Sequence, residues 1–364
     1  MSQIDIIAGA RPNFMKIAPI IREIETKKKL GSRLDYRLVH TGQHYDHRMS
    51  GDFFKQLGIP KPHVNLSVGS GSQAEQTARI MMGYEKLITD SNVKLCLVVG
   101  DVTSTLACAI VAKKACVPVA HVESGIRSGD WTMVEEVNRV VTDSLTDYFF
   151  TTSEFANKNL IDAGVDCKSI FFVGNTMIDS LLANVNRLVR PSFYETMKLE
   201  SKKYFIVTLH RPHNVDDPIK LKQLMSAISI GAEDKPVLFP VHPRTLKTLK
   251  QNIELPKNFF LLDAQPYLEF NYLVKNAAAV LTDSGGVTEE ATVLGVPCFT
   301  LRTSTERPET VLIGTNELVG DNPLAIKTAM SKVFSGFLKS GGIPPKWDGK
   351  ASKRIVGHLE KLLC

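Results

Sequence analysis

No apolar run in the sequence approaches the ~20 residues that a bilayer-spanning helix needs. It opens Met1-Ser-Gln-Ile-Asp-Ile-Ile-Ala, with no basic n-region and too short an apolar stretch for a secretory signal. Cysteine is sparse and unpatterned: Cys96, Cys108, Cys116, Cys167, Cys298 and Cys364 form no C-x-x-C and no framework spacing. Cys96, Cys108 and Cys116 lie in or beside apolar segments, and the six are read as buried free thiols in a reducing cytoplasm. Metal-ligand spacing is missing too, since His44-x-x-His47 and His210-x-x-His213 come without a third convergent ligand. No excess of one charge stands out: 44 Lys and Arg against 38 Asp and Glu leave +6, spread along the chain. That argues against a nucleic-acid stripe and leaves small anionic ligands open. Glycine (24) and proline (18) are scattered, which excludes disordered, collagen-like and coiled-coil classes.

What is present is a repeated α/β pattern over 364 residues, enough for two domains. Ile4–Ala8, Tyr36–His40, Leu95–Val99, Val117–Val122, Tyr148–Thr151 and Ile170–Val173 read as strands. Helical segments lie between them, near Phe14–Lys27, Arg48–Leu57, Gln73–Thr89, Thr103–Ala115, Glu135–Leu145 and Glu154–Ala163. After a helix over Asn175–Asn186 and a polar stretch, the pattern restarts. Strands are expected at Tyr204–Leu209, Val237–Val241, Phe259–Leu262, Ala279–Thr282 and Val296–Leu301, with helices that include Arg244–Gln251, Tyr267–Lys275 and Thr288–Leu294. Strands apolar throughout belong in parallel sheets covered on both faces, so each half is a doubly wound α/β domain. The expected division is 1–187 and 188–350, with 351–364 a last helix that could pack on either domain, the first included. Two such halves favour a ligand in the cleft between them.

Ligands of open parallel sheets sit beyond the carboxyl ends of the strands. The first half places Gly9-Ala-Arg11-Pro12-Asn13-Phe-Met-Lys16, Gly100-Asp101 and Glu123-Ser-Gly125-Ile-Arg127 there. The second half places His210-Arg211, His242-Pro-Arg244 and Asp283-Ser284-Gly285-Gly286 there. Carboxylates thus gather on one rim, suited to acid–base work, and His, Arg and Ser-Gly-Gly on the other, suited to an anion at a helix N-terminus. In Glu289-Glu290, one turn further, a carboxylate could hold ribose hydroxyls. Plainer roles compete: Asp101 could cap the next helix through Thr103, Glu123 could pair with Arg127, and Arg11 and Lys16 could be solvated helix charges. Neither G-x-G-x-x-G nor G-x-x-x-x-G-K-[ST] occurs, which argues against hydride transfer and a P-loop.

Taken together, the segments resemble the non-hydrolysing UDP-N-acetylglucosamine 2-epimerases. They are Gly9–Lys16, Gly100-Asp101, His121-Val-Glu123-Ser-Gly-Ile-Arg127, Glu135-Glu136-x-Asn138-Arg139, Gly174-Asn-Thr-x-Ile-Asp179, His210-Arg211, Leu281–Glu290 and Thr305-Glu-Arg-Pro-Glu309. The resemblance implies a glycosyltransferase-B-like fold of two Rossmann-like domains with the active site in the interdomain cleft. It also implies interconversion of UDP-GlcNAc and UDP-ManNAc through UDP and 2-acetamidoglucal, without NAD or metal, in a cytoplasmic homodimer that makes precursors of cell-surface polysaccharide. By the same resemblance Asp101, Glu123 and Glu135 match catalytic carboxylates, and His210 joins them near the leaving diphosphate. Arg11 and Lys16 match residues near the sugar and diphosphate. Ser284, Gly285, Gly286 and Glu290 match the UDP site, Phe270 falls where uracil packs, and Arg307 falls near the phosphates.

The chain departs from the family pattern at three places. Val134 precedes Glu135-Glu136 where members commonly carry Pro. Pro212-His213 follows His210-Arg211 where many bacterial members have Arg-Glu, and Tyr45-Asp46 interrupts the Gln-His-Arg-x-Met segment that begins at Gln43. The last two border a second site at which UDP-GlcNAc activates many bacterial members, so weak or absent activation is expected here. Competing functions are a 2-epimerase of a related UDP sugar (a 2,3-diacetamido uronic acid or a 6-deoxy talosamine), a glycosyltransferase of the same fold, and a UDP-sugar-binding protein without turnover.

Overall fold

The computed structural model describes residues 2–42, 56–241, 243–249 and 254–364, leaving aside the side chains of residues 2, 11, 243 and 244. The first strands are β1 (Ser2–Ala8), β2 (Leu34–His40), β3 (Val64–Asn65), β4 (Val93–Val99), β5 (Val119–Ser124), β6 (Tyr148–Thr151) and β7 (Ile170–Phe172). They form one parallel sheet in the order β3-β2-β1-β4-β5-β6-β7. The second sheet, also parallel, holds β8 (Phe205–Thr208), β9 (Val237–Pro240), β10 (Phe259–Leu262), β11 (Ala279–Thr282), β12 (Cys298–Thr300) and β13 (Asn316–Leu318). Its order is β10-β9-β8-β11-β12-β13. Both sheets therefore reverse direction of growth once, between β1 and β4 and between β8 and β11.

Around the first sheet lie α1 (Arg11–Lys29), α2 (Gln73–Thr89), α3 (Thr103–Lys114), α4 (Val134–Leu145), α5 (Glu154–Asp162) and α6 (Thr176–Asn184). The second half adds α7 (Phe193–Thr196), α8 (Pro212–Val215), α9 (Pro218–Gly231), α10 (Pro243–Leu249), α11 (Tyr267–Asn276), α12 (Gly285–Val293), α13 (Pro308–Leu312) and α14 (Pro323–Ser335), and α15 covers Ala351–Leu363. The strands are buried because both faces are covered: β5 has no exposed residue and β4 has one. On one face of the first sheet Ile7, Val39, Cys96 and Val98 pack with Ile80 and Tyr84 of α2 and Ala107 and Cys108 of α3. Each such side chain contributes about 1.5–3 kcal/mol when fully buried, so the strand ends are carried on a stiff base.

The chain divides into two compact units, Met1–Ala183 with Pro345–Cys364, and Asn184–Pro344. These divisions lie four and six residues before the expected 187/188 and 350/351. Helix α15 belongs to the first unit, where it packs against α1 and β2. Asp179 of α6 accepts from the amides of Ala351 (3.0 Å) and Ser352 (2.7 Å), capping α15. Trp347, 1% exposed, donates its indole N–H to the carbonyl of Thr152 at 3.0 Å.

Several expectations need correction. Helix α12 starts at Gly285, three residues before the expected Thr288, because the two glycines are taken up in its first turn. Strand β5 runs through Glu123 to Ser124 instead of stopping at Val122. All six cysteines are free, but Cys116, Cys167 and Cys364 are exposed; only Cys96, Cys108 and Cys298 are buried. Most of the expected helix over Arg48–Leu57 and the end of that over Arg244–Gln251 lie outside the described residues.

Candidate active site

Where the strand order reverses, successive loops turn to opposite faces of the sheet and leave a crevice between them. In the first unit that crevice is flanked by the residues after β1 and β4. Asn13 shapes the turn into α1, its Oδ1 accepting the amides of Gly9 (3.1 Å) and Ala10 (2.9 Å) while its Nδ2 donates to the carbonyl of Val99 (3.0 Å). Arg11 begins α1, and nothing is described of its side chain. Lys16 turns inward: its Nζ lies 2.5 Å from Oε2 of Glu123, and the two residues are 7% and 3% exposed. It is therefore no solvated helix charge.

Glu123 has a left-handed backbone, φ +68°, at the point where the pairing of β5 with β6 slips between Val122 and Ser124. A bulge of this kind re-aims one side chain, and the conformation costs a non-glycine residue about 1–3 kcal/mol. Arg127 does not take Glu123 as partner; it bonds Oδ2 of Asp143 at 2.6 Å. Nor does Asp101 cap α3, whose N-cap is Val102 without a side-chain bond. Asp101 instead accepts from Arg139 at 2.6 Å, while its carbonyl accepts Asn138 Nδ2 at 2.8 Å.

The Glu135-Glu136 pair splits at the start of α4. Glu136 is buried and accepts the amides of Ser128 and Gly129 (both 2.9 Å) and Arg139 NH1 (2.6 Å). Burial alone would raise its carboxyl, but these donors outweigh that and hold it below the usual glutamate value. Glu135 stays half-exposed, and among the described residues no bond joins it to Asp101 or Glu123. Val134, where the family pattern has Pro, is the first residue of α4. At that position a helix needs no amide hydrogen bond, so Pro and Val fit alike.

In the second unit, Asp283 ties the ends of β8 and β11 together. Its carboxylate accepts the amides of His210 (3.1 Å) and Arg211 (3.0 Å), Asn214 Nδ2 (3.1 Å) and His210 Nδ1 (2.8 Å). Burial opposes the charge, yet the His210 contact and the other donors hold this carboxyl below the usual aspartate value. With Nδ1 committed to Asp283, Nε2 is the nitrogen left to meet a ligand, and the His210 side chain is 41% exposed. Ser284 is the N-cap of α12 but makes no capping bond through its side chain, and Gly285 and Gly286 follow half-exposed. The hydroxyl and the first amides of α12 thus remain for an anion. Glu290 is buried, with Asn271 Nδ2 at 3.4 Å. Phe270 is half-buried against the core beside α11. Arg307 points inward and ion-pairs with the fully buried Glu289.

Asp143 was not named from the sequence, and Asn13, His121, Glu136, Arg139 and Asp283 stood there within motifs without their partners. Only Glu136–Arg139, three apart on a helix, carries a local signal; the other partners are distant in the chain. Among the described residues no group of three or more His, Cys, Asp or Glu is placed to hold a metal ion. No helix among them is long and apolar enough to cross a membrane. Of the segments tied to activation, His213 is engaged by Asp321 at 3.0 Å and Gln43–Met49 lies outside the described residues, as does His242 of the strand-end segment His242-Pro-Arg244.

A family model described as UDP-N-acetylglucosamine 2-epimerase matches residues 27–360. A protein of that name from Methanocaldococcus jannaschii is 41% identical over 369 residues, covering 98% of each chain. A UDP-2,3-diacetamido-2,3-dideoxy-D-glucuronate 2-epimerase from Pseudomonas aeruginosa is 38% identical over 361 residues, covering 98% of this chain and 99% of that one. Among solved structures, the M. jannaschii UDP-GlcNAc 2-epimerase in complex with UDP-GlcNAc and UDP superposes with a TM-score of 0.87 at 40% identity, over 99% of each chain. The two parallel α/β units are thus a glycosyltransferase-B-like fold. On sequence, fold and the match over most of its length, the chain belongs to the UDP-N-acetylglucosamine 2-epimerase family, a family of isomerases.

Proposed function

We propose that the chain interconverts UDP-GlcNAc and UDP-ManNAc by eliminating UDP and adding it back. A carboxylate of the first unit removes the proton from C2 of the sugar. The C1–O bond breaks, its electron pair leaves on the β-phosphate of UDP, and C1=C2 forms as 2-acetamidoglucal. A second carboxylate returns a proton to the other face of C2, and UDP re-adds at C1. Since C2 is a weak carbon acid, departure of a stabilised diphosphate has to drive the step, and cationic and N–H groups must meet the charge that develops.

The observation that carries this reading is the pair of carboxylates at adjoining strand ends, each facing its own cation: Glu123 with Lys16, and Asp101 with Arg139. We assign proton transfer to Asp101, Glu123 and Glu135. His210, oriented by Asp283, meets the leaving diphosphate together with Arg11 and Lys16. Ser284, Gly285 and Gly286 bind the phosphates, Glu290 the ribose and Phe270 the uracil, while Arg307 lies near the phosphates and braces α12 through Glu289. The relative from M. jannaschii, named for this reaction and solved with UDP-GlcNAc and UDP, supports the choice of substrate. A homodimer in the cytoplasm, supplying an activated sugar for surface polysaccharide, completes the proposal.

The P. aeruginosa relative, nearly as similar, supports a second substrate of the same chemistry, a UDP-2,3-diacetamido uronic acid. One experiment separates the two. Each UDP sugar is incubated with the protein in D₂O and followed by NMR. Deuterium at C2 with UDP-ManNAc from UDP-GlcNAc supports the first reading; exchange only in the uronic acid moves the assignment to the second. No exchange in either leaves a binding protein without turnover.

A further inference from the structure

Asp143 and His121 take no part in the proposed chemistry, yet both are buried and every polar side-chain atom of each is hydrogen-bonded. Asp143, on α4, accepts His121 Nδ1 through Oδ1 at 2.7 Å, and through Oδ2 the amide of Gly125 (3.0 Å) and Arg127 NH1 (2.6 Å). His121, wholly buried in β5, has its Nε2 on the carbonyl of Gly100 at 2.8 Å. A carbonyl only accepts, so Nε2 donates. Asp143 already accepts from an amide and a guanidinium, so Nδ1 donates too, and both ring nitrogens are in use.

These bonds hold the two carboxylates of the proposed site. Residues 121 and 125, both tied to Asp143, bracket Glu123. Gly100 immediately precedes Asp101; its amide donates to the carbonyl of Val122 (3.0 Å) and its carbonyl accepts His121. Both sides of Gly100 are thereby fixed to β5. Its φ of +68° favours glycine, and a Cβ there would stand 3.1 Å from Lys16 Nζ and 3.8 Å from Glu123 Oε2. Gly100 therefore lies beside the Lys16–Glu123 pair. The bulge at Glu123 interrupts the β5–β6 ladder at the point where rigidity is needed, and the bonds of Asp143 stand in for the missing ladder.

We infer that Asp143, acting through His121, is a positioning residue that keeps Asp101 and Glu123 in register across the ends of β4 and β5. The inference deepens the epimerase reading and rests on it. Carboxylates that must reach two faces of one carbon need a fixed separation, and a misplacement of about 1 Å costs on the order of 10²-fold in rate.

The test assays Asp143→Asn, His121→Gln and His121→Asn in the full chain, beside Asp101→Asn and Glu123→Gln. Asparagine at 143 keeps the size but turns one acceptor into a donor that faces donors. We expect kcat to fall about 10-fold to 100-fold, with KM for UDP-GlcNAc and calorimetric UDP affinity within about twofold of the parent. Released UDP and 2-acetamidoglucal per turnover should rise, because proton return fails after UDP has left. Glutamine at 121 keeps a donor near the place of Nε2 and hence the bond to Gly100, whereas asparagine keeps only the bond to Asp143. His121→Gln should therefore turn over several-fold faster than His121→Asn, and this comparison decides the matter if Asp143→Asn does not fold. Equal turnover in the two His121 variants, with losses that follow their melting temperatures, overturns the inference, as does a folded Asp143→Asn with normal kcat. Normal turnover in Asp101→Asn and Glu123→Gln removes the epimerase assignment itself. Inactive carboxylate variants beside a normal Asp143→Asn remove only the positioning role.

Discussion

Lys16 Nζ and Glu123 Oε2 lie 2.5 Å apart across 107 residues of chain, joining the second turn of α1 to the end of β5. A carboxylate this buried needs a counter-charge, and removing one partner of such a pair typically costs more than the pair contributes. Lys16→Met should therefore lower stability by roughly 3–5 kcal/mol, read as a lower urea midpoint. It should also abolish turnover, even under conditions where the variant is folded. A stable, active Lys16→Met would show that Glu123 finds its charge balance elsewhere.

Proton transfer by the rim carboxylates is tested one residue at a time. Asp101→Asn, Glu123→Gln and Glu135→Gln should each lose turnover by roughly 10²-fold or more, while calorimetry still detects UDP. Glu135 is the sharpest of the three, because among the described residues no ion pair joins it to a cation. Normal kcat in Glu135→Gln would restrict the chemistry to Asp101 and Glu123.

The nucleotide is expected at the N-terminus of α12. Ser284→Ala removes a hydroxyl that makes no capping bond, and Glu290→Ala removes the carboxylate beside Asn271 and Tyr267. Both should weaken UDP binding in calorimetry, with circular dichroism showing the fold retained. Unchanged affinity in both moves the nucleotide elsewhere.

Asp283 links activity at the second crevice to acid stability. Its folded-state value lies below the ordinary aspartate value of 3.8, so its stabilising contribution is complete above that pH and is lost as pH falls through the lower folded value. Asp283→Asn should unfold more easily at neutral pH and show a shallower loss of stability in the acid limb, followed by circular dichroism. An unchanged acid limb would mean that other carboxylates, Asp143 and Glu136 among them, dominate it.

Activation by a second molecule of UDP-GlcNAc should be weak or absent. Pro212 and His213 replace a charged pair, and His213 is already held by Asp321 and Lys220. UDP-ManNAc alone should then be converted without a lag. A requirement for trace UDP-GlcNAc, or a sigmoidal forward curve, would show the regulatory site rebuilt from other residues.

The strand ends could be read from the sequence because strands buried on both faces are apolar throughout and stop where polar residues begin. That placed Gly100-Asp101, Glu123, His210 and Asp283–Gly286 at the crevices. The partners were not legible. Arg127 is four residues from Glu123 but bonds Asp143, sixteen away, because the bulge turns Glu123 toward α1. Asp101 finds Arg139 on a helix 38 residues on, a distance over which periodicity carries no information. Short or polar strands such as Val64–Asn65 and Asn316–Leu318 also gave no pattern, since the sheet alone specifies them.

Asp179 and Trp347 have a consequence for how the protein is made. They fasten residues 345–364 onto a unit whose remaining strands are all synthesised before residue 184. While residues 184–344 emerge from the ribosome and can fold on their own, the earlier unit waits with Thr152, Val173 and the surface of α1 uncovered. Gly174, whose missing side chain leaves room for the carbonyl of Lys346, keeps that berth open for the returning segment. The unit translated first is in this way the one finished last, and a chain that ends at residue 344 carries the whole second unit but an unsealed first one.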